Sequence, residues 1–424
     1  MGLRERLLPW LRSWWAFLAF CVAAALLIKI FVISGYTIPT ESMEPLLHGH
    51  QRDGDRVAVF KPYYGLFEPE RFDLVVFEFD AARLGDSAAS SGSGADSVLM
   101  VKRLLGLPGE QIRIGTDGDI FIGDLGETPR RLKKTRSQIE NLLIPVYRSR
   151  FDSAFFDDWQ AFRDLDRSPK IDPEARAKGW TMEEGFLRCN GADDLFDGRE
   201  ISLTYGSEIS DSYLDDGQRS VAGTFPVNDL CLTLECEVMR DRRGCITGRL
   251  REGGDRFKFE LELSGKGSCG GYRLMRNRVQ VEGEVYDPDI FVALVPGRRH
   301  TIRFLNVDNQ IALYCDDRLL CSHEYRENMS VDSTALYNQP SFGVQGLDVV
   351  FHSVKIDRDV HYAPIGRYAR HDKEPYIVPE GHYFFLGDNS SKSEDSRMIG
   401  SVSADRIKGR PFLIFYPLRR IRLF

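Results

Sequence analysis

The stretch "VLMVKRLLGLPGEQIRI", Val98 to Ile114, reads as strand, tight turn and strand. Val98 to Val101 suit a pleated, half-buried surface, Pro108-Gly109 supplies the turn, and Gln111 to Ile114 alternates polar with apolar. Lys102 is the odd residue. An ammonium group set among Val101, Leu104 and Leu105 loses hydration, which favours the neutral amine. A lysine pKa of about 10.4, lowered by several units, makes a base near neutral pH. A Lys-Arg pair at a strand end is otherwise a solvated face, so Lys102 alone decides nothing.

Upstream, "DRVAVF" (Asp55 to Phe60) and "FDLVVFEF" (Phe72 to Phe79) predict two more strands. "GDSAASSGSGADS" (Gly85 to Ser97) holds only Gly, Ser, Ala and Asp and predicts a flexible hairpin connection. Further back, "SWWAFLAFCVAAALLIKIFVIS" (Ser13 to Ser34) is apolar apart from Lys29 and the terminal serines. As a helix it spans about 33 Å, enough for a bilayer core of roughly 30 Å. Arg4, Arg6 and Arg12 precede it, and no Lys or Arg stands between Gly35 and Gln51. The positive-inside rule then predicts a single-pass anchor with a cytoplasmic N-terminus and the rest outside. The rival reading is a cleaved secretory signal, but the run is long for one and no clean A-x-A site follows.

The remaining composition is ordinary: 424 residues, 42% apolar, 28% charged, net charge −7. That allows two or three domains and argues against a nucleic-acid partner, which wants a basic face. Cys21 lies in the apolar run and seven cysteines fall between Cys189 and Cys321. No two have C-x-x-C spacing, so no metal and no cofactor is expected; disulfides stay open. From about Trp180 to Asp357 short alternating segments recur: "LCLTLECEV", "RFKFELEL", "HTIRFLNV" and "QIALYCDD". Asp308-Asn309 and Asp316-Asp317 mark hairpin turns among them. This predicts an antiparallel sandwich, loosely similar to laminin-G or concanavalin-type jelly rolls, with a glycan or protein as candidate partner. "RRLKKTRSQIENLLIPVY" (Arg130 to Tyr147) begins as a helix. "GRPFLIFYPLRRIRLF" (Gly409 to Phe424) closes the chain as a terminal strand or as a basic, apolar tail at a lipid surface.

"YTIPTESMEPLLHGH" (Tyr36 to His50) follows the apolar run. Ser42 stands eight residues past Ser34, within about 27 Å of the span. Pro39 and Pro45 exclude helix and predict an extended or turning segment. A serine hydroxyl needs a base, and His48 and His50 are too close in sequence to face it.

Four motifs together are similar to those of bacterial type I signal peptidases, membrane-bound Ser-Lys proteases. They are "PTESMEPLL" (Pro39 to Leu47), "GDRVAV" (Gly54 to Val59), "VKRLLGLPGE" (Val101 to Glu110) and "GDNSSKSEDSRMIG" (Gly387 to Gly400), in the family's order behind an anchor. The resemblance covers about Gly35 to Glu127 and Asp372 to Phe424. It implies a mainly β peptidase that cuts preprotein signal peptides after small-x-small sites, at the outer face of the cytoplasmic membrane. It implies Ser42 as nucleophile, Lys102 as base, and the Ser42 N–H and Thr40 hydroxyl as oxyanion donors. Ser393 would hydrogen-bond Lys102, Asp395 and Arg397 would brace the loop, and Asp388 and Asn389 would open it. Ile38, Met43, Leu47, Met100 and Val101 would wall shallow pockets, and Tyr63 to Phe67 is a candidate to dip into the bilayer. Leu46, Ser390 and Met100 depart from the family's commonest residues. So does the insertion, Thr128 to Arg370.

The expected organisation is thus a cytoplasmic 1–12, an anchor 13–34, peptidase 35–127, a partly helical 128–179, a sandwich 180–357, a linker 358–371 and peptidase 372–424. Two rivals are weaker. A membrane-anchored binding protein has no need for Ser42, Lys102 and Ser393 together, and a self-cleaving repressor needs a DNA-binding domain where this chain has an apolar helix.

Overall fold

The structure, a computed structural model, describes residues 3–50, 53–80, 97–152, 154–163, 170–171, 179–183, 185–191, 199–264, 271–281, 294–326 and 338–424. The chain divides into two compact units. One comprises 1–116, 120–130 and 362–424, the other 117–119 and 131–361.

The first unit opens with a helix, Leu3–Leu27, which loosens into a π-turn over Ile28–Val32 and passes straight into strand Ile33–Thr37. Trp14–Val32 is long and apolar enough to cross a membrane, with mean hydropathy 2.4, and none of it is buried in the protein. The helix therefore starts earlier than the expected Ser13, and it stops short of Ser34. The reason for the early stop is pairing: Ile33 and Ser34 lie opposite Phe60 and Val59. Lys61 fixes this exit, donating its N–H to Val32 O at 2.9 Å and its Nζ to Ile30 O at 2.8 Å.

The main sheet runs Ile33–Thr37, Arg56–Phe60, Ile407–Tyr416, Leu74–Asp80, Ser97–Gly106, His382–Leu386, Val402–Ser403, each neighbour antiparallel. Leu74–Asp80 lies at its centre and is buried on both faces. Leu74 and Val76 join Ile38, Met43, Leu47, Val57, Val59 and Ile414 on one side. Val75, Phe77 and Phe79 join Leu104, Phe385 and Val402 on the other. That two-sided burial explains the unbroken apolar run, since successive strand residues point to opposite faces. Most of the expected loop Gly85 to Ser97 lies outside the described residues, but Asp80 pairs with Ser97, so its flanks form a hairpin. After Gly106 the chain turns at Pro108-Gly109, with Gly109 at φ +81°, into Glu110–Ile114. The C-terminal tail carries a short strand: Arg422–Leu423 folds back onto Leu413 and Ile414.

The second unit is a sandwich of two antiparallel sheets. One runs Lys170–Ile171, Trp159–Arg163, Ile201–Tyr205, Ser341–Gln345, Arg243–Glu252, Asp255–Ser264, Tyr272–Arg276, Val279–Gln280. The other runs Trp180–Glu183, Phe186–Asn190, Asp348–Arg358, Leu230–Val238, Arg299–Val307, Gln310–Cys315, Arg318–Glu324, with Ile144–Arg148 added to Asp348–Arg358. Alternate residues meet in one core: Leu230, Leu232, Leu234 and Val238 from one sheet, Ile246, Phe257, Phe259 and Leu261 from the other. Trp159 and Phe351 pack edge-on against Phe342, with ring centres 4.9 and 5.0 Å away. The helix expected near Arg130 spans Arg136–Leu142 and starts at a Thr135–Gln138 capping box. Among the described residues Cys21, Cys189, Cys231, Cys236, Cys245, Cys315 and Cys321 are free thiols, all but Cys21 buried.

Asp308-Asn309 and Asp316-Asp317 turn their hairpins with both residues at positive φ, and Asn277-Arg278 makes a third such turn. Left-handed backbone suits Asn, Asp and Gly and strains β-branched residues. Asp317→Val should therefore destabilise the sandwich by about 1–2 kcal/mol, whereas Asp317→Gly should be close to neutral. Thermal unfolding checks this: the valine variant should melt roughly 2–8 °C lower, and the glycine variant should not.

Candidate active site

Ser42 sits in a loop whose ends are tied together. Ile38 N–H donates to Asp55 O at 2.8 Å, His50 N–H to Ile38 O at 3.1 Å and Asp55 N–H to His48 O at 2.8 Å. Between Pro39 and Pro45 the chain makes a single 3-10 turn, Glu41–Met43, with Thr40 and Glu44 extended on either side. The prolines were expected to exclude helix altogether. They exclude a longer one, but three residues still fit a turn between them. The turn aims Ser42 inward.

Lys102 comes from the strand Ser97–Gly106, where it lies opposite Val75. Ser42 Oγ and Lys102 Nζ are 2.5 Å apart, with the two residues 5% and 4% exposed. Thr40 Oγ1 is 3.3 Å from Ser42 Oγ. Burial is the main influence on the Lys102 amine and pulls its pKa down to about 8. The Asp395 carboxylate opposes that pull and the Arg397 guanidinium adds to it.

The loop Gly387 to Gly400 packs against both residues. A side chain on Gly387 would come within 2.5 Å of Ser42 O, so only glycine fits there. Asn389 holds the serine segment twice, N–H to Ser42 O at 3.1 Å and Nδ2 to Glu41 O at 3.0 Å. Asp388 pairs through both oxygens with Arg103, which follows Lys102 directly. Asp395 and Arg397 form a fully buried bidentate pair at 2.8 and 2.7 Å. Burial alone would raise the Asp395 carboxyl, but Arg397 and the Gly387 N–H outweigh it and hold it low. Arg397 also donates to Ala363 O and to the Oγ and O of Ser390. Ser390, where the family more often has Arg, is thus an acceptor inside the loop. The expected Ser393–Lys102 hydrogen bond is not formed: Ser393 Oγ lies buried without a well-formed partner, while Lys102 Nζ is drawn to Ser42.

The expected pocket residues divide. Ile38, Met43 and Leu47 are buried in one core with Val101 against it, whereas Met100 packs on the other face of its strand. In the Tyr63 to Phe67 stretch, Leu66 and Phe67 are exposed.

Two site-supporting residues escaped the sequence reading. Fully buried Asp55 accepts the His48 N–H at 2.7 Å and both oxygens meet Arg420 Nε, at 2.8 and 3.1 Å. Arg420 Nη2 also reaches Leu46 O at 3.3 Å. The C-terminal "LRRIRLF" therefore clamps the serine loop from outside. The only sequence signal was the Asp in second place in the motif Gly54 to Val59.

His300, Cys315 and Asp316 also meet in space. Both imidazole nitrogens are committed: Nε2 accepts the Val295 N–H and Nδ1 faces Asp316, each at 2.9 Å. Burial pushes the Cys315 thiol up to about 12, so neither residue is poised to bind metal.

The family described as "Signal peptidase, peptidase S26" matches residues 11–161 and 312–416. Signal peptidase I of Aquifex aeolicus is 32% identical over 22% of this chain and 34% of its own. That of Bacillus licheniformis is 29% identical over 32% and 61%. The chain thus spans 34% and 61% of the lengths of these curated relatives. A β-glucanase of Bacillus licheniformis aligns in structure with half of this chain and 97% of its own, at TM-score 0.31 and 12% identity, and nothing functional follows from it. Matched over more than half of its residues, the chain belongs to the signal peptidase family, peptidase S26.

Proposed function

We propose that the protein is a membrane-bound serine endopeptidase that removes signal peptides from exported preproteins. The observation that carries this is the 2.5 Å approach of Ser42 Oγ to the buried amine of Lys102. Neutral Lys102 takes the Ser42 proton as Oγ bonds to the scissile carbonyl carbon. The tetrahedral intermediate then expels the amine, which receives that proton from Lys102 as the C–N bond breaks. Water, deprotonated by the same amine, releases the signal peptide from Ser42. The Ser42 N–H and the Thr40 hydroxyl stabilise the oxyanion, each donor worth about 3 kcal/mol. While protonated, Lys102 carries three N–H donors. We assign one to Ser42 and a second to Ser393, whose hydroxyl is buried beside the Asp395 carboxylate.

Asp388, Asn389, Asp395 and Arg397 position the dyad without touching substrate. Ile38, Met43, Leu47, Met100 and Val101 bound the substrate's path, and the small-x-small preference is carried over from the family that the chain resembles. Trp14–Val32 crosses the cytoplasmic membrane with the arginine-bearing N-terminus inside. Ser42 then stands on the outer side near the lipid surface, where a signal peptide's cleavage site also emerges.

Purified protein in detergent should cut a preprotein after a small-x-small site. Ser42→Ala should lower kcat by roughly 10⁴-fold or more. Lys102→Met fills the same volume without burying a charge, so it should fold and be equally inactive. Cleavage by folded Lys102→Met would end the dyad mechanism.

The pH profile gives a second test. Below the Lys102 pKa the amine is protonated and cannot accept; above it the base is free. kcat/KM should therefore rise from pH 6 and level off above about 8. A flat profile over that range would exclude a lysine base.

Arg420→Ala should loosen the serine loop while leaving the surroundings of Lys102 intact. Misplacement by about 1 Å can cost 10²-fold, so kcat/KM should fall tenfold or more with an unchanged pH midpoint. A shifted midpoint would show that Arg420 acts through the amine instead.

A further inference from the structure

The apolar helix joins the first sheet without a linker. Its last turn, Ile28–Val32, passes directly into Ile33–Thr37, which pairs residue by residue with Arg56–Phe60. Ile38 N–H extends that ladder to Asp55 O at 2.8 Å. The last carbonyls of a helix have no partners within it, and in lipid such groups must be met by the protein itself. Here the sheet meets two of them through one residue: Lys61 gives its N–H to Val32 O at 2.9 Å and its Nζ to Ile30 O at 2.8 Å. The N–H bond continues the strand ladder by one step. The Nζ bond differs in kind, because it reaches back onto the helix, where a cation also meets the negative end of the helix dipole. A second side-chain tie, Ser34 Oγ to Lys29 O, is long at 3.5 Å.

Two observations point to a lipid surface at this joint. Ile30 lies inside the apolar run Trp14–Val32. An ammonium group avoids hydrocarbon, so Lys61 and Lys29 mark the boundary at the level of Ile30. Directly after Lys61 the chain makes the turn Tyr63–Leu66, where the Tyr63 ring meets the Phe60 ring edge-on at 6.5 Å. Phe60 lies opposite Ile33, the first strand residue, and beyond the turn Leu66 and Phe67 are 67% and 57% exposed. Large apolar side chains bared beside the end of a membrane helix suit lipid better than water.

We propose that Lys61 is a positioning residue: by holding Ile30 O it fixes the tilt of the membrane helix against the sheet, and so selects which bond of a membrane-held signal peptide reaches Ser42. The inference rests on the peptidase reading above and adds to it the residue that sets the height of the nucleophile. From Ile33 to Ile38 the chain is paired at every step, and the Ser42 turn is tied to Asn389. Little slack is left along that path, so the joint at Val32 is where the sheet can swing against the helix. Locking the joint takes a contact on the helix beyond the chain connection itself, and Lys61 Nζ with Ile30 O is that contact. A substrate anchored in the same bilayer presents its bonds at set heights, about 3.3 Å apart when extended. A change of tilt that moves Ser42 by one such step selects a neighbouring bond.

Full-length protein should be reconstituted in vesicles of phosphatidylethanolamine and phosphatidylglycerol. Nitroxides at Leu18→Cys and Asp53→Cys, with Cys21→Ala and Cys269→Ala, report the helix-to-sheet distance by pulsed electron resonance. One narrow distribution is expected, broadened in Lys61→Met and narrow again in Lys61→Arg, which keeps a cationic donor. Given a preprotein with two small-x-small sites in tandem, the protein in vesicles should cut one of them in strong preference to the other. Losing a charge-assisted hydrogen bond shifts an equilibrium by about tenfold or more, so Lys61→Met should lower that preference roughly tenfold. Its kcat/KM on a short soluble peptide should not change. Should Lys61→Met not fold, Lys61→Ala carries the same comparisons. An unbroadened distribution in the folded variant would overturn the proposal, and so would unaltered site choice. Equal losses on peptide and preprotein would also overturn it, by making Lys61 a residue of the fold alone. If the wild-type protein cuts neither substrate, the peptidase reading fails instead, and the distance measurement alone decides whether Lys61 fixes the tilt.

Discussion

The surroundings of Lys102 set the terms for everything near it. An amine 4% exposed loses most of its hydration, and that loss is the main influence that brings its pKa down. Three carboxylates nearby, Asp395, Asp388 and Glu394, work in the opposite direction and favour the ammonium form. The first two are met by guanidinium groups: Arg397 grips Asp395 and Arg103 grips Asp388, both bidentate. Burial outweighs the carboxylates and leaves the amine at about 8. The two arginines thus offset the acids around the amine without touching Ser42, which gives a physical reason for an Arg directly after the lysine and for the Asp395–Arg397 pair.

Holding the serine opposite that amine is a separate problem, met by separate parts of the chain. A loop of this length would sample many conformations if only its ends were paired. Asn389 binds the turn from one side, and Asp55 with Arg420 binds the loop's base from the other. The glycine at 387 lets the backbone come close enough for the first of these. Strand pairing then makes the arrangement rigid, because Ile407–Tyr416, which leads to Arg420, lies between Arg56–Phe60 and Leu74–Asp80.

What was legible in the sequence follows from how local each signal is. Period-two apolar patterns and Asp-Asn or Asp-Asp turns are local, so the strands of both units and two of the hairpin turns could be read directly. Asn277-Arg278 lacks the usual second-position Gly, Asn or Asp, and its turn escaped notice. Ser42 and Lys102 stood out only as a pair of motifs in a fixed order. Asp388 was named from its motif, but its pairing with Arg103, 285 residues away, and the Asp55–Arg420 clamp, 365 residues apart, were hidden because the partners are remote. The missing Ser393 bond has another cause. A motif records which residue is present and not the rotamer it adopts, and the hydroxyl here stays apart from the amine. The end of the apolar helix was misjudged because hydropathy does not distinguish a last helical turn from the first residues of an apolar strand.

The size of the sandwich raises the question of how the unit that holds Ser42 and Lys102 tolerates it. Closing a long loop costs entropy that grows only with the logarithm of its length, and a folded insert removes even that if its own ends meet. Here they do. Lys134, just after the chain enters the sandwich, shares its ammonium with Asp359, just before the chain leaves it. Burial alone would drive that lysine toward the neutral form, but Asp359 and Asp308 outweigh it and keep it charged. The bridge is therefore a buried ion pair whose rupture would strand a charge, costing about 3–5 kcal/mol. An insert pinned at its own entry and exit asks no more of the host strands than a short connection would. The peptidase fold can then keep Ser42 and Lys102 in register although the motifs that serve them lie on either side of a second folded body.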